Sequence, residues 1–318
     1  MNQINPKIDI VVCNYKNKEL TAKCLDSLLD STYIDYNIIL VDDHSPDDSV
    51  DYFRRHYPGI TVIENKANLG PAAARNKGID SGRAEYVVTM DNDAVLSKTW
   101  LAEMVRLMDS NGNVGQAVGK ILFAGMPEKI AAAGGSILFR GKGYDIGIGA
   151  ESSDPKYNQR RQVLYACSAS MIIRRSVLEK IGGFCEKYYH GYEDTDLSLR
   201  VNIAGYQVVY QPNSVSYHGL SVTVNKTIGN KRTVYLWMRN RLLIMLRNYP
   251  ALLLIRSLPL NIRFNIAHCL RQPADLQPFM KSLVSIIINS FDIFHARMRN
   301  SRLKKISNNQ LEQLFNLD

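Results

Sequence analysis

The chain has 318 residues, 46% of them hydrophobic and 22% charged, enough to bury one sizeable core but not to build two large domains. Its five cysteines (Cys13, Cys24, Cys167, Cys185 and Cys269) are scattered and lack C-x-x-C pairing, which excludes a zinc or disulfide framework and fits a reducing cytoplasm. The formal net charge is +9, residues 1–7 contain no apolar signal-peptide stretch, so export is not expected, and no repeat or low-complexity tract interrupts the chain.

Residues 8–13 form an apolar run that predicts a β-strand ending in Asn14-Tyr15-Lys16-Asn17; Leu20, Ala22, Cys24, Leu25, Leu28 and Leu29 then recur at helical spacing. A second strand over 36–41 stops at Asp42-Asp43-His44-Ser45, a capped turn in which Ser45 starts a helix through Val50, Tyr52 and Phe53. A short strand over 60–64 leads through Asn68-Leu69-Gly70-Pro71 into a small-residue helix over 72–78. A fourth run, Val87-Val88-Thr89-Met90, ends abruptly in Asp91-Asn92-Asp93. Strands alternating with helices predict an α/β, Rossmann-like, mostly parallel sheet flanked by helices. Right-handed crossovers place all four polar loops at one sheet edge, where ligands bind in open α/β folds.

Farther along, 131–149 is rich in glycine without the strand-to-helix framing of a phosphate cradle, and predicts a flexible insertion near an acceptor. Residues 165–173 read as a strand returning to the sheet, and 176–181 as a short helix ending at Gly182, with Gly182-Gly183-Phe184 shaping the acceptor side. The acids Glu193, Asp194 and Asp196 open a helix whose dipole favours them; Asp196 is expected to cap it while Leu197, Leu199 and Val201 face the core. Two carboxylates one residue apart at Asp91 and Asp93 are hard oxygen ligands suited to Mg²⁺ or Mn²⁺, and such ions suit a diphosphate. Alone, that pair is an ordinary turn signal.

Its company makes it specific. Val-Val-Cys-Asn-Tyr (11–15), Val-Asp-Asp-His-Ser (41–45), Asn-Leu-Gly-Pro-Ala-Ala-Ala-Arg-Asn (68–76), Asp-Asn-Asp (91–93), Gly-Gly-Phe (182–184), Tyr-Glu-Asp-Thr-Asp-Leu-Ser-Leu-Arg (192–200) and Tyr-His-Gly (217–219) occur in one chain. In order and spacing this set resembles the inverting family 2 nucleotide-sugar glycosyltransferases of A-type fold. Within them it is most like the bacterial rhamnosyltransferases of surface polysaccharides such as O-antigen. The resemblance implies that Cys13, Asn14, Tyr15 and Asp43 hold a pyrimidine nucleotide of dTDP or UDP. It places Arg75 near the diphosphate, Asp91 and Asn92 by the ribose, and Cys167 to Ser170 near the sugar or acceptor. Asp93 and His218 become metal ligands, Asp194 the catalytic base and Glu193 a supporting or acceptor-touching residue. A carboxylate that takes the acceptor proton and a cation that stabilises the departing diphosphate are the two things this chemistry needs.

After Leu236, twelve basic residues face four acids, so this region carries +8 of the chain's +9. Its apolar runs are broken well before the roughly 20 residues of a membrane span. The division expected is therefore a catalytic domain over 1–235 and a basic, amphipathic helical region over 236–318. That region either lies on an anionic membrane surface, as peripheral contact at the inner face of the plasma membrane with a glycan or lipid-linked glycan acceptor would require, or packs on the catalytic domain or a homo-oligomer partner. Nucleic acid is not an expected partner, since no nucleic-acid module accompanies the charge. Two alternatives to the transferase are a sugar-phosphate nucleotidyltransferase, disfavoured because Asn14-Tyr15-Lys16-Asn17 has no glycine, and an inactive relative, disfavoured because Asp91, Asp93, Asp194 and His218 are all present.

Overall fold

The computed structural model describes residues 6–219 and 230–315; residues 1–5 of the N-terminal stretch and Asp318 of the charged tail lie outside the described residues. The first half follows the expected alternation: β1 (Ile8–Asn14), α1 (Lys18–Leu29), β2 (Tyr36–Asp42), α2 (Ser49–His56), β3 (Thr61–Glu64), α3 (Pro71–Ser81) and β4 (Tyr86–Asp91). These strands pair in parallel in the order β3-β2-β1-β4. Their C-terminal ends are level, Cys13 opposite Asp91 and Asn14 opposite Asp42. Because strand side chains alternate, Ile8, Ile10 and Val12 pack with Cys24, Leu25 and Leu28 of α1, while Val11 and Val41 pack on the other face with Ala72 and Ala74 of α3. The small residues of α3 let it sit close to the sheet, and a Cβ at Gly78 would collide with Val11.

The second half comprises β5 (Ala94–Leu96), α4 (Trp100–Ser110), β6 (Val114–Phe123), β7 (Met126–Ala132), β8 (Gly135–Ile137), β9 (Gly143–Asp145), β10 (Arg161–Gln162), β11 (Ser170–Arg174), α5 (Arg175–Ile181), α6 (Glu193–Ile203) and β12 (Gln207–His218). The sheet continues from β4 through β11, β6, β12 and β10, with β11 antiparallel to both neighbours and β12 parallel to β6. The glycine-rich stretch differs from expectation. It is an ordered part of the core, with β7 on β6, β8 on β9, and Ile130, Ala131, Ala133 and Ile137 buried. Gly134 and Gly147 adopt φ of 80° and 76°, so glycine here serves tight turns within a packed ladder rather than mobility. The returning strand is also shorter than expected and starts at Ser170, because the amides of Ala166 and Ser168 donate to Ser198 Oγ and Asp194 instead of to the sheet. The helix after β2 starts at Ser49; Ser45 instead closes the turn, its amide donating to Asp42 Oδ1 at 2.8 Å.

The C-terminal region is helical: α7 (Asn230–Asn248), α8 (Ala251–Arg271), α9 (Leu276–Ile288), α10 (Ser290–Leu303) and α11 (Asn308–Gln313). Residues 235 and 236, where the sequence reading divides the chain, both fall inside α7. Leu243, Ile244, Met245 and Tyr249 form one cluster with Ile137, Tyr165, Leu199 and Ile203, so this region shares a core with the β8–β9 ladder and α6.

Asp196 is not a helix cap. It is fully buried in the first turns of α6, accepting from Arg200 Nε at 2.8 Å, Asn248 Nδ2 at 2.8 Å and Tyr188 Oη at 3.0 Å, with Arg247 3.7 Å away. Burial alone would raise its pKa, but the Arg200 and Arg247 guanidiniums hold the carboxyl below the usual carboxylate range. Asn300 of α10 donates to Asn248 Oδ1 at 2.8 Å and extends the network. Asp196→Ala leaves the buried Arg200 charge unpaired and is expected to lower unfolding free energy by about 3–5 kcal/mol. Urea denaturation checks this; a loss under about 1 kcal/mol would mean that the network is dispensable.

Candidate active site

A cleft of about 570 Å³ at the C-terminal ends of β1, β2 and β4 brings together Cys13, Asn14, Tyr15, Asp43, Arg75, Asp91, Asn92, Asp93, Glu193, Asp194 and His218. Every residue to which the resemblance gives a nucleotide, metal or catalytic role lines this one space, although the positions span more than 200 residues of chain; of the stretches expected near the sugar or acceptor, Cys167 and Ser168 line it, and Ala169, Ser170 and Gly182-Gly183-Phe184 do not.

The metal-like cluster follows from strand register. After β4 the chain turns at Asp91-Asn92-Asp93 into β5, which runs antiparallel to β12 with Ala94 opposite His218, and Gly219 N donates to Asp93 O at 3.1 Å. His218 Nε2 is thereby held 2.9 Å from Asp93 Oδ1 and 3.7 Å from Asp91 Oδ2. One ligand atom from each of the three residues lies within 4.8 Å of the others. Two carboxylate oxygens with one imidazole nitrogen fit Mn²⁺ well and Mg²⁺ less well. Burial works to lower the His218 pKa, but the hydrogen bond to Asp93 and the surrounding carboxylates outweigh it and raise it. Burial raises Asp91, and Arg75 with His218 more than reverse this.

Arg75 is only 2% exposed and bridges two carboxylates, at 2.5 Å to Asp91 and 3.1 Å to Glu193. Its Nε and the second Glu193 oxygen are buried and have no partner. Burial would lower the Arg75 pKa, yet the two acids raise it above its ordinary value. The strand-end polar groups are fixed as tightly. Asn14 donates to Asp42 at 2.6 Å and accepts from Thr21 Oγ1 at 2.6 Å, and Asn92 donates to the same hydroxyl at 3.0 Å. Asp43 accepts from Asn65 Nδ2, Leu69 N and Gly70 N at 2.8, 3.0 and 2.8 Å, which pins the loop before α3 against the cleft. A carboxylate has about four lone-pair sites, so Asp43 retains one acceptor position.

Asp194 sits in the first turn of α6, oriented by Ser168 N at 3.2 Å and Thr195 N at 2.6 Å. Burial, reinforced by the neighbouring Glu193 charge, pushes its pKa up to about 7 despite these amides. The backbone before it is unusual: Tyr189, Gly191 and Tyr192 have φ of 63°, 76° and 76°. This bend carries Tyr189 and His190 into the cleft. Both residues, with Asp145 and Trp237, escaped the sequence reading; a Gly next to paired tyrosines was the available signal for the bend. An adjoining chamber of about 380 Å³ shares Asp145, Cys167, His190, Asp194 and Trp237 with the cleft and is completed by Tyr192, Thr195 and Asn240. Tyr165 Oη donates to Asp145 at 2.8 Å, while burial raises the Asp145 pKa.

Acidic motifs gathered at the carboxyl ends of a mostly parallel sheet stand where ligands bind in open α/β folds. The chain belongs to glycosyl transferase family 2, whose description matches residues 9–182. Family membership sets the chain apart from the nucleotidyltransferase alternative. The chain is 41% identical over 93 residues to the poly(ribitol-phosphate) beta-glucosyltransferase of Bacillus spizizenii, a match covering 27% of this chain and 15% of that protein. Glycosyltransferase AglE of Haloferax volcanii is 24% identical over 266 residues, covering 80% of this chain and 81% of its own. Among the first curated relatives, the matched part spans only 15% to 40% of their length. In fold, the chain is similar to the mannosyltransferase PcManGT of Pyrobaculum calidifontis in complex with GDP-Man and Mn²⁺, with TM-score 0.56 and 16% identity over 95% of this chain and 86% of that one. It is also similar to S. aureus TarS 1–349 in complex with UDP, with TM-score 0.56 and 16% identity over 96% and 90% of the two chains.

Titrating the protein with Mn²⁺ in the presence of UDP should reveal one cation site. Asp93→Ala should weaken it by at least the roughly 10–100-fold that losing even an outer-shell partner costs; unchanged Mn²⁺ affinity would place the cation elsewhere.

Proposed function

We propose that the protein is an inverting, metal-assisted transferase that moves a sugar from a pyrimidine nucleoside diphosphate, UDP or dTDP, onto a hydroxyl of a glycan or lipid-linked glycan during cell-surface polysaccharide synthesis. The observation that carries this reading is the meeting, in one cleft, of the Asp91–Asp93–His218 ligand set with a separately held carboxylate, Asp194. Asp93 and His218 hold Mn²⁺ or Mg²⁺, with Asp91 beside them at the ribose. When bound, the cation neutralises charge that builds on the diphosphate as it leaves. Cys13, Asn14, Tyr15 and Asp43 hold the nucleotide, the free acceptor position of Asp43 matching an imide N–H of uracil or thymine. Arg75 holds Asp91 and Glu193 in place and contributes positive potential beneath the diphosphate.

In the reaction, Asp194 accepts the proton of the acceptor hydroxyl as that oxygen bonds to the anomeric carbon and the bond from that carbon to the diphosphate oxygen breaks. Attack from the face opposite the leaving group inverts the anomeric centre. A base with a pKa near 7 is well matched to this task at neutral pH. The first sugar to test is rhamnose, and a panel of dTDP- and UDP-sugars assayed for transfer and hydrolysis decides the donor. The five cysteines are free thiols, which supports action in a reducing compartment; no described helix by itself is long and apolar enough to cross a membrane.

Asp194→Asn should lower kcat by roughly 10²–10⁴-fold while leaving UDP affinity nearly unchanged, because the base acts in the transition state. Full activity in that variant would remove Asp194 from the role. Since the base works only when deprotonated, kcat/KM should rise with pH up to about 7 and level off above it. A profile flat from pH 5 to 8, read with a saturating cation, would exclude a base with this pKa.

A further inference from the structure

Beyond the apolar core they share, the outer C-terminal helices leave much apolar surface exposed. The buried ridge of α8 is Leu253, Ser257, Asn261, Asn265 and Cys269, spaced four apart and mostly polar. Asn261 donates to the Arg140 carbonyl at 2.8 Å, and Asn265 donates to Asn261 Oδ1 at 2.8 Å. The opposite face carries Leu252, Ile255, Ile266 and Leu270, of which Ile255 and Leu270 are 70% and 78% exposed. In α9, Ser282 is buried while Leu276, Met280, Val284 and Ile287 recur along one exposed stripe. Phe291, Phe294 and Met298 continue the pattern on α10. Of the twenty large hydrophobic residues exposed among the described residues, fourteen lie between 252 and 298. An ordinary surface helix turns its apolar stripe inward, and a concentration of this size outside marks an interaction surface.

The charges on these helices identify the partner. Among the described residues, each acid of this region is already paired with a base: Asp275 with His268, Asp292 with Lys187 and Glu312 with Arg256. Arg263, Arg271, Lys281 and Arg302 stand exposed around the apolar stripes. Apolar side chains bracketed by cations suit the headgroup boundary of a bilayer with anionic lipids. The segments 273–288 and 290–303 are bent by 65° at their junction.

We propose that the exposed faces of α8, α9 and α10 form a bilayer-docking surface, with the mouth of the cleft beside it. Trp237, 49% exposed at the cleft, stacks on the Arg241 guanidinium at 4.2 Å, and Arg241 in turn faces Phe264 of α8 at 5.8 Å. Two side chains thus link the cleft to α8. The docking itself stands independently of the transferase reading, and extends it by placing the mouth where a membrane-held acceptor would meet it.

The test uses the full chain and vesicles of phosphatidylcholine, with and without phosphatidylglycerol. Sedimentation should show binding to the anionic vesicles that weakens with salt, and the paired substitution Ile255→Glu and Ile287→Glu should reduce it by roughly tenfold or more. Circular dichroism and UDP affinity in that variant should match the parent, which separates loss of docking from loss of fold. The chain has two tryptophans, and Trp100 is fully buried, so a blue shift on vesicle binding reports Trp237. Absence of binding to either vesicle, or a dimer in solution that the two substitutions dissociate, would overturn the docking surface. Binding without a tryptophan shift would overturn the placement of the cleft mouth. Loss of UDP binding in the parent chain would count against the transferase reading alone.

Discussion

The site depends on one buried cation. Arg75 reaches from α3 to Asp91 at the end of β4 and to Glu193 at the start of α6, tying the strand-end acids to the helix that carries Asp194. Without it, the buried Glu193 carboxylate would lose its Arg75 partner in a space that strongly disfavours unpaired charge. The small side chains of α3 that allow the helix to lie against Val11 and Val41 are what bring a residue as long as arginine beneath the cleft floor rather than above it. Packing of alanines and glycine therefore has an electrostatic consequence at acids 16 and 118 residues of chain away.

The same bridge separates the acids into different roles. Asp91 lies against Arg75 and is held ionised, whereas Asp194 lies next to Glu193, gains little from Arg75, and is pushed toward neutrality by burial. Carboxylates whose environments drive their pKa values apart are how a single cleft holds both a charge-binding end and a proton-accepting end. Register does the remaining work. Because β5 pairs with β12, His218 arrives beside Asp93 from more than 100 residues downstream, and the backbone bond from Gly219 to Asp93 keeps it there.

Much of this was legible in the chain because its signals are local. Apolar runs ending in polar residues, acids in two cases, marked β1, β2 and β4, and motif order led to the expectation that Asp194 and His218 share a site. What was misread depends on partners distant in sequence. Asp196 looks like a helix cap until Arg247 and Asn248 of α7 are brought against it, and the glycines of 131–149 look like slack until their turns are seen inside a ladder. Tyr189 and His190 enter the cleft through a left-handed backbone bend that composition does not encode, and Trp237 sits in a basic helix where an aromatic reads as packing.

That last residue also explains why the chain resists division at 235. One end of α7 presents Trp237 and Asn240 to the chamber beside Asp194, and the other presents Arg247 and Asn248 to Asp196 in the same catalytic helix. Asn240 further donates to the carbonyls of His190 and Gly191, clamping the strained bend that precedes Glu193. A helix so placed is part of the active site, and it is also the element on which α9 and α10 rest. The bend that precedes Asp194 and the outer helices thus pack on the same helix, α7, from its two sides.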